Sequence, residues 1–478
     1  MDDGLQTFRL LDLPIEVQIH LIHIIVQISI DQSHPVPVPE SDEDEIEEEG
    51  PKPINWSTLI NLALTCHSLH DLCCPFYLRR LVISSGPSRL GFSVPSDRDD
   101  IRSLLDITQN HLLLRASTLR HVTTIFYNGT TRMRLSHPLP TYALEISHQL
   151  FNATPKLRSL CLSSLPTSTV ICFLRHPLPT LEALALSYIT FYDEINPEEF
   201  PCLKRLKALK IQECSPHWLP IVTQTEKLLH LCVWMPVHQI RDLNWFIPEV
   251  ILPNLRYLNL DGFRDHPKIL ARLCDLIRTY RLEGGKFVIE ELDLEARFTA
   301  RLVDKVLSAV EGYEGLKSLA ISCVVGRDMN PDLFDAIGRA GIGPGLERLL
   351  VMVDGYEGKR WPGNLAHYAA RLSRFTRLRS FAFNHVDNPG PMELEAEEDG
   401  ELVIIDHSRS ISPNFEHHAS ILFGAIDNLK SVILVKSLWA NRADGSEASR
   451  LSKHQEIQIQ NQLDLRDTLI PFEPRWTD

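Results

Sequence analysis

The sequence predicts an α/β fold, in which an N-terminal helical segment precedes a curved solenoid with parallel strands inside and helices outside. An apolar-x-x-apolar-x-apolar pattern recurs along most of the 478 residues. Stretches with helical spacing of apolar residues separate several of its copies. Residues 11–81 differ from this plan, because they are apolar over most of a helical surface and need cover on more than one side.

The recurring pattern has a period that is typical of leucine-rich repeats. Between residues 157 and 378 its copies begin 22 to 34 residues apart. The last two apolar positions alternate, as a short strand with one buried face requires, and the first fills the core where the chain enters the strand. The clear copies are Leu157-Leu160-Leu162, Leu181-Leu184-Leu186, Leu206-Leu209-Ile211, Leu228-Leu231-Val233, Leu255-Leu258-Leu260, Ile289-Leu292-Leu294, Leu316-Leu319-Ile321, Leu346-Leu349-Val351, Leu378-Phe381-Phe383 and Leu429-Val432-Leu434.

The stretches between the copies predict helices, most clearly over residues 269–277 and 302–310. Each repeat must stack on its neighbours, because alone it cannot bury its strand and helix together. Strict leucine-rich repeats carry Asn or Cys three residues after the third apolar position, and here only Cys214 supplies it. We therefore expect no asparagine ladder and irregular turns after the strands.

The N-terminal segment opens with a helix start. Pro14 suits the first turn, where its missing N–H breaks no intrahelical bond, and Glu16 suits the positive end of the helix dipole. Polar residues then form one narrow stripe, and nearly every other residue up to Ile28 is apolar. A unit of this size cannot bury that much apolar surface in its own core. We expect it to dock on the rest of the chain and to present a patch to another protein.

This segment resembles the F-box family. Leu13-Pro14-Ile15-Glu16 matches the Leu-Pro-x-Glu that begins the family's first helix, and Leu62 to Cys66 matches the apolar run into a Cys in its second half. The resemblance covers about 70 residues and implies a three-helix unit that binds the Skp-type adaptor of a cullin–RING (SCF-type) ubiquitin ligase. The positions to which it assigns adaptor binding are Leu11, Leu13, Pro14, Glu16, Val17, Leu21, Ile22, Ile25, Leu62, Cys66 and Leu69.

The resemblance implies that the repeats hold a protein substrate for ubiquitination. The chain would then act by proximity. It would place substrate lysines near the ubiquitin-charged enzyme and carry out no chemistry itself. Target contacts are expected on the strand face, at positions between the motif leucines. The candidates are Arg158, Glu182, Lys210, Tyr257, Asn259 and Asp293.

An alternative is a ligase-independent interaction scaffold, in which the helical segment is only the N-terminal cap of the solenoid. Exposure separates the two interpretations. If Leu13, Pro14, Val17 and Leu21 pack wholly inside the chain, the adaptor interpretation fails.

Two acidic segments account for the net charge of −14. Residues 40–49 hold eight acids and residues 392–406 hold seven, with no base in either. The remaining body is close to neutral, so no global field favours nucleic acid. The predicted domains are the F-box at 5–80 with an insertion at 31–53, the solenoid at 81–440 with an insertion near 389–413, and a tail or cap at 441–478.

The sequence contains no motif for catalysis, phosphate binding or metal binding, so we expect no enzyme, no cofactor and no metal. Gly341–Gly345 precedes a strand rather than a helix, which predicts a helix C-cap and turn instead of a phosphate cradle. The ten cysteines follow no disulfide framework and are interpreted as reduced core residues. The N-terminus lacks a basic signal-peptide region and the apolar run to Ile30 contains polar residues. A cytoplasmic or nuclear protein without a membrane span is therefore expected.

Overall fold

The structure is a computed structural model, and its described residues form two compact units that divide after residue 184. The described residues are 14–15, 17–18, 20–22, 69, 72–73, 80–84, 119–128, 141–189, 195–235, 247–263, 266–324, 332–353, 365–383, 394–396, 402–404, 415–435, 438–442 and 448–450. Most of the predicted F-box and all of the acidic segment 40–49 lie outside them.

The first unit contains three parallel strands that pair in chain order. These are β1 (Arg80–Ser84), β2 (Thr124–Asn128) and β3 (Ser159–Ser163). Two helices accompany them, α1 (Thr141–Ala153) and α2 (Thr167–Arg175). Aromatic side chains join the layers, since Phe173 of α2 makes edge contacts with Phe151 and with Tyr127 at centroid distances of 5.2 Å and 5.3 Å.

The second unit repeats one strand and one connection many times, and its strands from β5 to β11, with β14, pair in parallel and in chain order. Its strands are β4 (Ala183–Ser187), β5 (Ala208–Gln212), β6 (His230–Trp234), β7 (Tyr257–Asp261), β8 (Glu291–Phe298), β9 (Ser318–Val324), β10 (Arg348–Val353), β11 (Ser380–Phe383), β12 (Leu394–Ala396), β13 (Leu402–Ile404), β14 (Ser431–Val435), β15 (Leu438–Arg442) and β16 (Ala448–Arg450). The α/β class and the predicted parallel strands are confirmed.

The connections are α-helices in some repeats and 3₁₀ turns in others. The helices are α3 (Pro267–Leu282), α4 (Ala300–Val310), α5 (Asp332–Arg339), α6 (Leu365–Leu372) and α7 (Phe415–Ala425). Helices α3 and α4 confirm the two stretches singled out in the sequence. The 3₁₀ turns are Pro197–Glu199, Pro201–Arg205, Pro216–Gln224, Glu249–Ile251 and Gly343–Gly345.

Proline explains why the connections between β4 and β6 are not α-helical. Pro220 lies inside the turn Pro216–Gln224 and lacks the N–H that an α-helix interior would use, while Pro197, Pro201 and Pro216 stand at the starts of their turns. The repeats are also short there, with motif spacings of 22 and 25 residues against 30 to 34 where α3, α5 and α6 occur. A 3₁₀ turn covers the same core with fewer residues.

Two buried rows of side chains run across the sheet of the second unit. In one row each residue is the register partner of the next, and the motif residues from Leu157 to Val351 have at most 3% of their surface exposed. Side chains between these rows point to the opposite face. The first buried row is Leu209, Leu231, Leu258, Leu292, Leu319, Leu349, Phe381 and Val432.

The turns after four strands share a left-handed residue, a regularity that the expectation of irregular turns did not include. The residue after each strand has a positive φ: Ser164 (52°), Tyr188 (56°), Glu213 (47°) and Gly262 (77°). The next residue is apolar and buried in each case, at Leu165, Ile189, Cys214 and Phe263. The left-handed residue turns an apolar side chain into the core where strict repeats bury asparagine. The turn backbone also stays paired, because Glu213 N donates to Trp234 O at 2.7 Å.

The C-terminal part departs from the parallel plan. Strand β15 pairs antiparallel with β14, and β16 pairs antiparallel with β15. Strand β12 pairs antiparallel with β13 inside the second acidic segment. The predicted boundary at residue 440 lies within β15. The Gly341–Gly345 prediction is confirmed, because Gly341 follows α5 with a φ of 74° and a 3₁₀ turn leads on to β10.

Substitutions at two glycines should separate backbone strain from steric clash. Both have a positive φ, but a Cβ on Gly262 would lie 1.9 Å from Met235 O, whereas a Cβ on Gly312 would meet nothing within 4 Å. We expect Gly312→Ala to cost about 1 kcal/mol, the usual penalty for an L-residue in this region. Gly262→Ala should cost about 3 kcal/mol or more, because the backbone has to move. Urea unfolding of both variants measures these two costs. Equal costs would contradict the close approach of Gly262 to the backbone of Met235.

Candidate functional site

The N-terminal helix carries apolar side chains on its solvent-exposed side. Its described residues are helical from Ile15 to Ile22, and Gln18 N donates to Pro14 O at 3.1 Å across the first turn. Ile15 is 49% exposed and Val17 is 40% exposed, while the polar Gln18 is only 7% exposed. Ile15, Gln18 and Ile22 share one face at spacings of three and four, so Ile15 is the exposed start of the buried face, whereas Val17 lies on the other side of the helix.

Three of the predicted adaptor residues form one stripe on this helix, which we call the N-terminal stripe. Pro14, Val17 and Leu21 follow one another at helical spacings, and they are exposed, exposed and half-buried. Pro14, Val17 and Leu21 therefore do not pack wholly inside the chain, as the adaptor interpretation requires of them.

The other predicted adaptor residues lie elsewhere. Ile22 and Leu69 are buried within the chain, with 1% and 5% exposed, so they support the helix from inside rather than offer a contact. Ile15 was missed, although it lies inside the matched Leu-Pro-x-Glu stretch. The remaining positions are outside the described residues: Leu11, Leu13, Glu16, Ile25, Leu62 and Cys66.

The six predicted target-binding residues fall into two groups along the strands. Arg158 and Glu182 precede β3 and β4, so they lie at the edge where the strands begin. Their backbones keep the ladder, since Glu182 N donates to Arg158 O at 2.8 Å. Arg158 is exposed and Glu182 is half-buried.

The same edge position in later repeats carries alternating charges. Glu290 binds Lys317 at 2.6 Å and Arg256 at 3.6 Å. These groups are substantially exposed, so each pair contributes little to stability. The edge is therefore a polar border of mixed sign, and not a field of one sign that would attract a charged partner.

The other four candidates lie on the strand face opposite the buried leucine rows, which we call the outer strand face. Two of them are buried. Lys210 is 4% exposed and Asn259 is 8% exposed. Tyr257 and Asp293 are half-buried, and the structure brings them together around Asn259. Asn259 Nδ2 donates to Asp293 Oδ2 at 2.9 Å and lies 3.4 Å from Tyr257 Oη.

Next to this group two more carboxyl groups complete what we call the acidic cluster, which is Asp261, Asp293 and Glu295. Asp261 and Glu295 share a hydrogen bond, and Glu295 Oε2 accepts the backbone N–H of Gly262 at 2.8 Å. Asp261 and Glu295 were missed, although they stand two residues after Asn259 and Asp293. The alternation that selected those two residues would also have selected their neighbours.

The cluster strongly perturbs one of its carboxyl groups. Burial, the hydrogen bond with Glu295 and the charges of Glu295 and Asp293 raise the pKa of Asp261 from its ordinary value of 3.8 to about 8. The charged groups that act on Asp261 are therefore carboxylates, and its proton relieves their repulsion. At neutral pH Asp261 is protonated and donates to Glu295.

The described residues contain no set of three or more His, Cys, Asp or Glu side chains that could hold a metal ion. Among the cysteines in this part, Cys202, Cys214 and Cys274 are buried, and burial raises the pKa of each thiol to about 12. Such thiols stay protonated and are poor nucleophiles. No described helix is both long enough and apolar enough to cross a membrane.

A concave region of about 460 Å³ lies between the ends of α3 and α4. Its central cation is already engaged, because Arg281 donates to Ala309 O at 2.5 Å and to Glu311 O at 2.8 Å. The guanidinium also lies 5.5 Å and 5.6 Å from the ring centres of Phe287 and Tyr313. Arg281 therefore holds two helix ends together and is not a free anion-binding group.

Comparison with known proteins gives no assignment. No family profile matches the chain, and no curated protein matches it. Any function must therefore be argued from its own residues.

The pKa of Asp261 predicts how stability varies with pH. Between about pH 4 and pH 8 the folded chain keeps a proton on Asp261 that the unfolded chain releases, so the free energy of unfolding falls as pH rises through this range. Asp261→Asn keeps a neutral donor and does not titrate. Its stability relative to wild type should increase from pH 5 to pH 8 by at least about 1.4 kcal/mol, the equivalent of one pKa unit.

Asp304→Asn is the matched control for this experiment, because Asp304 is exposed on α4. Urea unfolding at several pH values should give this control a constant difference from wild type. A constant difference for Asp261→Asn as well would contradict the raised pKa.

Proposed function

We propose that the chain is a substrate-recognition subunit of an SCF-type cullin–RING ubiquitin ligase, with an F-box that binds the Skp-type adaptor. The observation that carries the proposal is the exposed N-terminal stripe in the segment that resembles the F-box. In this proposal residues 5–80 form the three-helix F-box, and the repeats curve into a leucine-rich-repeat solenoid that binds the target.

The exposure of the stripe supports a protein partner for energetic reasons. Complete burial of a Val or Ile side chain is worth about 1.5–3 kcal/mol, so Ile15 and Val17 each forgo a substantial part of this in the isolated chain. A helix with no partner would have a polar side chain at the position of Val17. The apolar side chain there supports a contact with another protein.

The repeats support a role in holding a target. Their outer strand face offers polar side chains that fixed strands position, and the described thiols and carboxylates include no arrangement for nucleophilic catalysis. In this proposal the role is non-catalytic and needs no cofactor, because effective concentration alone accelerates ubiquitin transfer. The proposed location is the cytoplasm or nucleus, where that machinery works.

A second candidate is the ligase-independent scaffold. The burial of Ile22 and Leu69 favours it, since a cap of the solenoid needs inward apolar side chains but no exposed ones. Adaptor binding decides between the two candidates.

Co-purification with the Skp-type adaptor tests the proposal. The variant Ile15→Ser/Val17→Ser makes both exposed apolar side chains polar and keeps the buried Gln18 and Ile22. We expect it to lose at least about 2 kcal/mol of binding, which is roughly a 30-fold weaker affinity, because central apolar contacts dominate such interfaces.

Val250→Ser is the matched control, since Val250 is 46% exposed in the second unit. It should leave adaptor affinity unchanged. If wild type does not bind the adaptor while it remains folded, or if both variants bind equally well, the ligase proposal fails and the scaffold becomes the better account.

A further inference from the structure

A pair of histidine side chains joins the two helices of the first unit. His148 lies on α1 and His176 caps the C-terminal end of α2, and their ring centroids are 4.7 Å apart with the ring planes inclined by 23°. His176 Nε2 lies 3.2 Å from Asn152 Oδ1, one turn along α1 from His148. The pair also borders the aromatic core of this unit, because the ring of Phe151 lies 5.8 Å from that of His176. The two histidines are therefore part of the contact between α1 and α2.

The surroundings of both rings suit neutral imidazoles. Asn152 Oδ1 can only accept, so Nε2 of His176 carries its hydrogen and donates. Nε2 of His148 is closed off from solvent and has no hydrogen-bond partner among the described residues. A proton at this atom would place a charged donor where no acceptor lies, which is costlier than the neutral ring. Two charged rings 4.7 Å apart would also repel each other, and partial burial limits the screening by water.

The other charged groups on these helices and on the turns that follow them leave the pair without a counter-charge. In this described part of the chain the charged side chains are Glu145, Lys156, Arg158 and Arg175, and Cys172 is the thiol of α2. All four charged side chains are exposed, so water and salt screen their effect on the rings. Burial, followed by the charge of His148, lowers the pKa of His176 from its ordinary value of 6.5.

We propose that the His148–His176 pair makes the packing of α1 against α2 sensitive to pH, so that the contact is intact at neutral pH and weakens when either ring gains a proton. Histidine is the side chain whose charge changes in this range. The unfolded chain binds the proton at the ordinary pKa of 6.5, whereas the folded chain resists it. The contribution of the pair to stability is therefore complete above about pH 6.5 and is lost as the pH falls below this value. This inference does not depend on the proposed function, because it concerns only the packing of the first unit.

Amide hydrogen exchange of the full chain tests the proposal at about pH 7.5 and about pH 5.5, on either side of the ordinary histidine pKa. Residues 141–153 and 167–176 report on the contact. The variant His148→Phe keeps a flat ring in the stack and cannot be protonated, and His176→Gln keeps a donor for Asn152 and is also neutral. In both segments, the protection of either variant relative to wild type should be at least about threefold greater at the lower pH than at the higher pH.

His217→Gln is the matched control, because His217 is exposed in the turn Pro216–Gln224 of the second unit. It removes one histidine charge from the chain without touching the pair. The protection of residues 141–153 and 167–176 relative to wild type should therefore be the same at both pH values.

A folded His148→Phe or His176→Gln chain whose protection relative to wild type does not change with pH would overturn the proposal. An equal change in the His217→Gln chain would also overturn it. If neither variant folds, the wild type decides the question: a protection factor for residues 141–153 that falls at the lower pH supports the proposal, and a constant one overturns it.

Discussion

The register of the parallel strands is the constraint on which the rest of the second unit depends. Leu209, Leu231 and Leu258 are direct partners, and the row continues unbroken to Val432. A slip of one residue would bring Asn259 and Asp293 into the core and expose the leucines, so the apolar pattern fixes the alignment. The same alignment assembles the acidic cluster, because Asn259 faces Asp293 and Asp261 bonds to Glu295. The arrangement of this polar face is therefore a consequence of how the core is packed.

The acidic cluster and the N-terminal stripe have the same physical character. Each retains an unfavourable feature in the isolated chain: crowded carboxylates in one, exposed apolar side chains in the other. Such features cost stability, and a partner of the right chemistry can relieve them. One surface is apolar and the other is anionic, so the two suit partners of different chemistry.

The periodic pattern predicts the parallel strands and the buried rows because alternation and the spacing of leucines report directly on burial. It also predicts α3 and α4, whose apolar residues recur at helical spacing. It does not predict the 3₁₀ connections, since a proline such as Pro220 changes the type of turn without changing which side chains are apolar. Nor does it predict the burial of Lys210, because alternation says which face a side chain occupies and not what covers that face. Tyr257, Asn259 and Asp293 do lie together on one strand face, from which Asp261 and Glu295 were left out, and their role in target binding stays a prediction.

The most direct test of the central claim is hydrogen exchange of the full chain with and without the Skp-type adaptor. The account predicts that residues 14–22 become protected when the adaptor binds, while the strands around Asn259 keep their exchange rates. Protection of the strand face instead, with no change at 14–22, would show that the helix is only a cap and would contradict the account.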